Sequence, residues 1–223
     1  MYFELDEVTG SLIQSQNQFY EVEVRCMDIG EVPEGRKRCK FLVVGFADST
    51  GTLRILSLEP ETCLQRISTQ ALPSVAHSVT LMALGSRDPE SKCSDDNLYL
   101  HVGLENGVLL RYLVDNVTGA LSDSRQQFLG TKAIKLSKVV QKGQESIVAL
   151  SNRPWLCYKY MGQYRVTPLS YDSLSHANAF SSERCPEGIV AIADNTLRIF
   201  SVEHLGDQFT QKVIRTRYTP CKF

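Results

Sequence analysis

The sequence predicts an all-β fold, in the form of part of a β-propeller, from two observations. Short apolar and β-branched runs recur between turn residues over most of the 223-residue chain, which is the pattern of β-strands. A pair of strands with the same order of residues also returns at intervals of 42 to 58 residues. A repeat of that length built only of short strands is typical of propeller blades.

The runs predict individual strands between turn signals. They lie at residues 41–46, 52–58, 98–102, 108–114, 146–150, 188–192 and 196–202. Long helical periodicity is missing. Segment 61–72 is compatible with a helix, but it is short and lacks strong capping residues.

A valine followed by a small residue, and then by Asp or Asn three positions later, occurs four times. The copies are Val44-Gly45 with Asp48, Val102-Gly103 with Asn106, Val148-Ala149 with Asn152, and Val190-Ala191 with Asp194. Each precedes a second strand of similar sequence, at 53–55, 110–112, 156–158 and 197–199. We expect the small residue beside the crowded central channel and the Asp or Asn in a tight, often left-handed turn. The blades are thus predicted at about 22–68, 76–130, 133–170 and 175–217.

The first residues predict the outer half of a further blade. Residues 3–12 repeat the pattern of residues 112–121 at an offset of 109, with Asp6 and Gly10 matching Asp115 and Gly119. Residues 2–5 would then form an outer strand whose inner partners precede Met1. Four and a half blades do not close a seven-bladed ring, so we expect part of a larger protein with unpaired strand edges, which favour aggregation.

Composition excludes several classes of protein. Twenty-four Lys and Arg against 25 Asp and Glu give a net charge of −1, unlike the strong basic excess of a free-standing nucleic-acid binder. Seven cysteines without a Cys-x-x-Cys pair argue against a zinc module or a complete disulfide framework and fit a reducing compartment. The start lacks a signal-peptide core, and the run 41–46 is too short to span a bilayer.

No residue pattern predicts catalysis, a cofactor or a metal site. The histidines at 77, 101, 176 and 204 lack ligand spacing, and no nucleophile-elbow, phosphate-loop or dinucleotide motif occurs. His101 is interpreted as a satisfied structural residue within its strand. Asp95 and Asp96 are interpreted as solvated, and Asn116-Val-Thr118, which matches a glycosylation acceptor, as a hairpin turn.

Two basic segments are left open as partner contacts. The run 36–40 contains Arg36, Lys37, Arg38 and Lys40, and the C-terminal stretch carries Lys212, Arg215, Arg217 and Lys222. Each can contact an acidic partner or phosphate. A solvated loop and a charged outer strand are the alternatives, so the partner-binding residues stay unknown.

Several longer motifs resemble those of a family of triple-propeller proteins. Residues 121–125 (LSDSR), followed by Leu129-Gly130, resemble a motif shared by members that act in damaged-DNA recognition, mRNA 3′-end cleavage and polyadenylation, and pre-mRNA splicing. Other stretches are similar to the splicing member in particular. They lie at 57–60, 63–73, 107–111, 167–171, 185–192, 195–199 and 218–220, so the resemblance covers essentially the whole chain.

The resemblance implies a place in a larger assembly. Family members hold three seven-bladed propellers and a helical region, so residues 1–217 would be the later part of the second propeller and 218–223 the start of the third. The splicing member is a non-catalytic nuclear scaffold of the splicing factor 3b complex, within the U2 small nuclear ribonucleoprotein that helps recognise the branch site. The implied partners are the other splicing factor 3b subunits and that ribonucleoprotein, with indirect or weak RNA contact.

The resemblance leaves some questions open. No functional residue motif of the family maps onto this chain, and loops 30–40 and 86–97 match the family pattern poorly. The alternatives are a ubiquitin-ligase adaptor for damaged DNA, a scaffold of the 3′-end processing machinery and, from another class, a propeller enzyme or lectin.

Overall fold

The computed structural model describes residues 1–6, 8–33, 35–36, 38–84 and 97–202. Over these ranges the chain forms seventeen strands and one 3₁₀ turn, Pro60–Thr62. The first ten strands are β1 Tyr2–Leu5, β2 Leu12–Gln16, β3 Val24–Ile29, β4 Phe41–Phe46, β5 Thr52–Ser57, β6 Arg66–Ala71, β7 Ala76–Ala83, β8 Leu98–Leu104, β9 Val108–Val114 and β10 Leu121–Phe128. The others are β11 Lys135–Gln141, β12 Gln144–Leu150, β13 Pro154–Tyr160, β14 Gln163–Pro168, β15 His176–Ser182, β16 Cys185–Ala193 and β17 Thr196–Phe200. No helix within these ranges is long and apolar enough to cross a membrane.

The strands of the described residues form five antiparallel sheets, each in chain order. We call them the half-blade (β1–β2), blade 1 (β3–β6), blade 2 (β7–β10), blade 3 (β11–β14) and blade 4 (β15–β17). Their limits follow the predicted repeat units with one difference: β6 of blade 1 runs to Ala71, past the predicted end near residue 68. The end of the fourth unit, residues 203–217, lies outside the described residues. The predicted all-β, partial-propeller fold is confirmed.

Segment 61–72 is a strand rather than a helix. It holds the end of the 3₁₀ turn and then β6, which pairs with β5 along Thr52–Leu56. Tertiary pairing decides the outcome here, because a short uncapped segment has little helical stability of its own.

The core lies between the sheets. Val43 and Val44 are neighbours on β4 and are almost fully buried, but Val43 packs between blades 1 and 2, whereas Val44 packs on the side of the half-blade. Successive side chains of a strand point to opposite faces, so a strand covered on both faces must be apolar throughout. Further clusters fill the spaces between blades 2 and 3 and between blades 3 and 4.

The first strands of successive blades lie side by side and are joined by similar bonds. In each bond a side chain of one first strand donates to a backbone carbonyl of the next blade. The three are Cys26 Sγ to Ala76 O at 3.8 Å, Ser78 Oγ to Ile134 O at 2.6 Å and Ser137 Oγ to Ala177 O at 2.6 Å. These bonds set the spacing of the arc at its inner edge.

Gly45 and Gly103 lie opposite the donors of the first two bonds, as predicted for crowded positions. A Cβ at Gly45 would be 2.7 Å from Cys26 Sγ, and one at Gly103 would be 2.6 Å from Ile134 O. Both distances are well below van der Waals contact.

The expected equivalence of the four small residues is wrong for blades 3 and 4. In blade 3 the residue opposite Ser137 is Val148, and Ala149 faces back towards blade 2. Ala191 likewise faces back, into the cluster with blade 3. Strands β3 and β7 have a register irregularity at this point that β11 lacks. The residue of the motif that faces the following blade is therefore the glycine in blades 1 and 2 and the preceding valine in blade 3.

The half-blade corresponds to the outer strands of blade 2. In both hairpins an aspartate closes the turn: Asp6 N donates to Ser11 O at 2.9 Å, and Asp115 N donates to Ala120 O at 3.0 Å. The matched glycines have φ of 66° and 69°. The predicted outer half of a blade is confirmed, and residues 116–118 lie in a hairpin turn, as expected.

The left-handed turn residue differs from the prediction in blades 1 and 2. Asp194 has φ 50°, as expected, but the positive φ near Asp48 and Asn106 is taken by Gly51 and Gly107. The Asp and Asn side chains accept hydrogen bonds from Thr52 N and Val108 N instead. They stabilise these turns as acceptors, because glycine adopts the left-handed region without strain.

Candidate functional site

Among the residues that the structure describes, those singled out by the sequence do not converge on a metal site. Over the described ranges no group of three or more His, Cys, Asp or Glu is placed to hold a metal ion. His77, His101 and His176 lie on β7, β8 and β15. Asp95, Asp96 and His204 lie outside the described residues.

The basic run 36–40 binds neighbouring parts of the chain. Arg36 pairs with Glu59, Arg38 pairs with Glu4 at 2.5 Å, and Lys40 Nζ donates to Asn116 O at 2.8 Å. These contacts join the loop to three different sheets or turns, so three of its cations have structural partners. Lys37 and the basic C-terminal residues Lys212, Arg215, Arg217 and Lys222 lie outside the described residues.

An ion pair joins non-adjacent blades at the inner strands. Asp28 Oδ2 accepts hydrogen bonds from Leu81 N at 2.7 Å and from Lys138 Nζ at 2.8 Å. Lys138 Nζ also donates to Ile29 O at 3.2 Å. One carboxylate on β3 therefore holds β7 of blade 2 and β11 of blade 3 together.

A polar cluster interrupts the apolar packing between blades 2 and 3. On blade 1, Val43 pairs with Ile55, and both are buried in the apolar cluster towards the next blade. In blade 2 the matching pair is His101 with Arg111. The positions match because His101 lies two residues before Gly103, and Val43 lies two residues before Gly45. A buried histidine and a largely buried arginine stand where the preceding blade has two aliphatic side chains.

We call this cluster the polar junction; its members are Tyr99, His101, Arg111, Cys157 and Tyr164. The His101 ring stacks on the Tyr164 ring at 5.6 Å and 25°, and His101 Nε2 lies 3.1 Å from the Tyr164 hydroxyl. The Arg111 guanidinium lies 4.1 Å from the Tyr164 ring centre and 5.3 Å from that of Tyr99. Blade 3 supplies Tyr164 and Cys157, so the junction couples two sheets through cation–π and stacking contacts.

Burial favours the neutral forms of His101, Cys157 and Tyr164, three members of the junction. Desolvation, assisted by the Arg111 charge, lowers the pKa of His101 to about 3. Desolvation raises the pKa of the Cys157 thiol to about 12, and desolvation and the nearby Cys157 raise the pKa of Tyr164. The Arg111 guanidinium therefore lies beside three groups that burial keeps uncharged at neutral pH.

Two polar atoms of the junction are unsatisfied. His101 Nδ1 and Arg111 Nε are buried and have no hydrogen-bond partner among the residues that the structure describes. The expected satisfied histidine is therefore bonded at one ring nitrogen only. Leaving such an atom without a partner costs about 1–3 kcal/mol, so two of them at one junction need a reason.

The junction opens at the rim of the arc into a cleft of about 260 Å³, which we call the rim notch. The outer strands β10 and β14 form its walls. It is lined by Leu109, Arg111, Arg125, Gln126, Gln127, Tyr164 and Val166. A partly enclosed arginine and the Gln127 side chain, which lies on the same face of the sheet, thus border a small open space.

The sequence contains one signal for this site. Aligning the blades on Gly45 and Gly103 places His101 against Val43, a polar residue at an apolar position. The contact of His101 with Tyr164, 63 residues later, needs the packing of two sheets and is invisible in the chain order.

Comparison with known proteins places the chain among multi-propeller proteins. Residues 1–202 match the family described as RSE1/DDB1/CPSF1 second beta-propeller. Similar proteins are splicing factor 3B subunit 3 of Danio rerio, at 44% identity, and spliceosome-associated protein 130 A of Arabidopsis thaliana, at 45%. Pre-mRNA-splicing factor rse1 of Emericella nidulans is also 45% identical.

Each of these three matches covers 100% of this chain and 18% of the relative, so the chain spans less than a fifth of the length of these relatives. A chain in the crystal structure of BBS1N in complex with ARL6DN, soaked with mercury, superposes with a TM-score of 0.53 at 16% identity. That match covers 87% of this chain and 56% of the other, and it shows similarity of fold alone.

Proposed function

Since this chain belongs to the RSE1/DDB1/CPSF1 second β-propeller family, we propose that it is a non-catalytic scaffold segment of a nuclear pre-mRNA splicing complex. The observation that carries the proposal is the 44–45% identity, along the whole chain, to splicing factors of a fish, a plant and a fungus. The family description also covers members with other names, so the choice of splicing rests on these relatives.

The assembly proposed is the splicing factor 3b complex of the U2 small nuclear ribonucleoprotein, acting in branch-site recognition. The chain contacts the other subunits of that complex and touches RNA weakly or indirectly. Its net charge of −1 supports a role in binding other proteins, because domains that bind RNA directly and tightly carry an excess of basic residues.

Three exposed apolar faces support a place within a larger ring. Phe3, Leu5 and Leu12 share the face of the half-blade turned away from Tyr2, and they are 47%, 63% and 68% exposed. At the other end of the arc, Leu197 is 70% exposed and Ile199 is 51% exposed. Soluble proteins rarely leave contiguous apolar patches uncovered.

The third face lies on the inner strand of blade 1. Met27 is 69% exposed and Ile29 is 51% exposed, while Cys26 and Asp28 of the same strand contact blade 2. The half-blade packs beside the outer part of blade 1, so this strip lies where the inner strands of the same blade would pack. We propose that further blades of a seven-bladed ring cover all three faces, with residues 1–217 as the later part of a second propeller and 218–223 as the start of the next.

Affinity purification of the tagged intact chain from nuclear extract, followed by quantitative mass spectrometry, tests the functional proposal. We expect enrichment of splicing factor 3b subunits and U2 components over an untagged control. Enrichment of cullin ubiquitin-ligase subunits or of cleavage and polyadenylation factors instead would assign the chain to another branch of the family.

Dye binding and light scattering test the ring proposal separately. The 223-residue chain alone should bind an apolar-surface dye and self-associate, and Met27→Lys together with Leu197→Lys should reduce both. A monodisperse monomer that melts cooperatively and binds no dye would contradict it.

A further inference from the structure

We propose that the rim notch between blades 2 and 3 binds a glutamate or aspartate side chain from an acidic peptide segment of a protein partner. The site is assigned from the geometry of the polar junction, and it would stand whether or not the chain acts in splicing.

Arg111 is held ready for a carboxylate. Only 15% of its side chain is exposed, and its guanidinium is clamped over Tyr164 and beside Tyr99. Its ion-pair partner among the described residues is Asp123, whose Oδ2 is 3.8 Å away, too far for a hydrogen bond. A planar guanidinium held by aromatic rings loses little side-chain entropy on binding and presents its donors in a fixed fork, which matches the two oxygens of a carboxylate.

The unsatisfied Nε of Arg111 is the second observation. This atom is buried and makes no hydrogen bond to any part of the chain that the structure describes. The orphaned donor is a cost of placing an arginine here, and a ligand carboxylate entering the notch, which Arg111 lines, can accept from this guanidinium and offset it. Blade 1 avoids that cost by having Ile55 at the matching position.

Arg125 adds a second, adjustable cation. It lies opposite Arg111 in the pairing of β9 with β10, its side chain is 70% exposed, and its Nε donates to Asp123 Oδ1 at 2.9 Å. Asp123 lies 46% exposed at the irregularity of β10, so it offsets one of the two charges. The notch keeps one net positive charge, which suits one carboxylate better than a chain of phosphates.

The rest of the notch suits a peptide. Leu109 and Val166 give apolar walls, and the amide of Gln127, which shares a face of the sheet with Arg125, can both donate to and accept from a peptide backbone. Strand β10 is the end strand of its sheet in the described part of the chain, so its outer backbone groups can pair with an added extended segment. The space of about 260 Å³ fits a side chain and is small for a nucleotide.

A titration of the intact chain tests the site. The probe is acetyl-Ala-Glu-Leu-Glu-Ala-amide, the matched control replaces both glutamates by glutamine, and the readout is the ¹⁵N side-chain signal of Arg111 Nε–H. We expect a saturable shift with the glutamate probe and about ten-fold weaker binding of the glutamine peptide, because charge-assisted hydrogen bonds are lost. Arg125→Ala should weaken the glutamate probe several-fold, whereas Arg25→Ala, which removes an exposed ion pair to Glu105 at the junction of blades 1 and 2, should not.

Three results would overturn the proposal. They are equal affinity for the two peptides, an Arg111 signal that does not move, and unchanged affinity in both Arg125→Ala and Arg111→Met. Because Arg111→Met can disturb the junction, the exposed Arg125→Ala keeps the test decisive. A decauridylate that moves the Arg111 signal at lower concentration than the peptide would assign the notch to nucleic acid instead.

Discussion

A single methyl group added at Gly103 tests whether the inner edge of the arc is as tight as its geometry indicates. The Cβ of Gly103→Ala would lie 2.6 Å from Ile134 O, 2.7 Å from Ser78 Oγ and 2.9 Å from Ile134 Cβ. Two of these three atoms make the hydrogen bond that joins blades 2 and 3. The methyl group therefore cannot be accommodated without moving the next blade.

The expected loss follows from three contributions. Overpacking costs about 1–3 kcal/mol, and weakening the Ser78–Ile134 bond costs about 1 kcal/mol. The lower entropy of the unfolded chain returns about 0.4–1 kcal/mol, since the backbone of Gly103 lies outside the left-handed region. The net destabilisation is about 2 kcal/mol, which lowers Tm by about 4–8 °C in a chain of this size.

Urea unfolding followed by tryptophan fluorescence measures this loss at the right place. The chain has a single tryptophan, Trp155, and its Nε1 donates to Leu129 O between blades 2 and 3. Gly30→Ala is the matched control, because its new Cβ meets a single side chain, Leu81, at 3.2 Å and 3.7 Å and meets no backbone atom. If Gly103→Ala and Gly30→Ala change the free energy of unfolding equally, the argument from crowding fails.

Three further predictions concern buried or bridging groups. The pKa of His101 is about 3 in the folded chain, against 6.5 for an unperturbed histidine, so the free energy of unfolding should fall as the pH drops from 6.5 towards 3, by up to about 1.4 kcal/mol per pH unit. Urea unfolding at several pH values should show a smaller dependence on pH in His101→Phe, and an unchanged dependence would contradict this. Lys138→Met should lower the free energy of unfolding by about 1–2 kcal/mol, because its bonds to Asp28 and Ile29 of blade 1 are lost. A double-mutant cycle with Asp28→Asn should give a coupling energy of at least about 0.5 kcal/mol, and additive effects would exclude a direct link. Iodoacetamide at pH 8 should modify Cys185 well before the buried Cys157, whose thiol has a pKa of about 12, as measured by peptide mass spectrometry; equal rates would show that blades 2 and 3 separate readily.

Much of the fold could be predicted from the sequence because strands covered on both faces are continuously apolar. β4 and β9 have the predicted limits, 41–46 and 108–114. Strand β3, with the sequence VRCMDI, was placed only within a repeat unit, because its alternating pattern reflects two different surroundings. Hydrophobicity locates the central strands of a blade better than its edges.

The registers and the polar junction could not be predicted in the same way. Whether Val148 or Ala149 faces the following blade depends on an irregularity in neighbouring strands, which leaves no mark in the Val-Ala motif itself. The junction needs side chains from β8, β9, β13 and β14 to meet across two sheets. Their contacts depend on how the two sheets pack, and the sequence repeat indicates only that a polar residue, His101, stands at a position that is apolar in blade 1.

The one-residue offset between blades 1–2 and blades 3–4 also restricts how this chain can vary. A segment copied from blade 3 into the place of blade 2 by aligned motifs would put Ala149 where Gly103 stands and turn each buried valine of the strand towards the opposite neighbour. Blades 2 and 3 resemble each other in sequence, yet they are not interchangeable modules. Exchange of blades within the arc would succeed only between blades whose motif has the same residue facing the next blade, that is, within blades 1–2 or within blades 3–4.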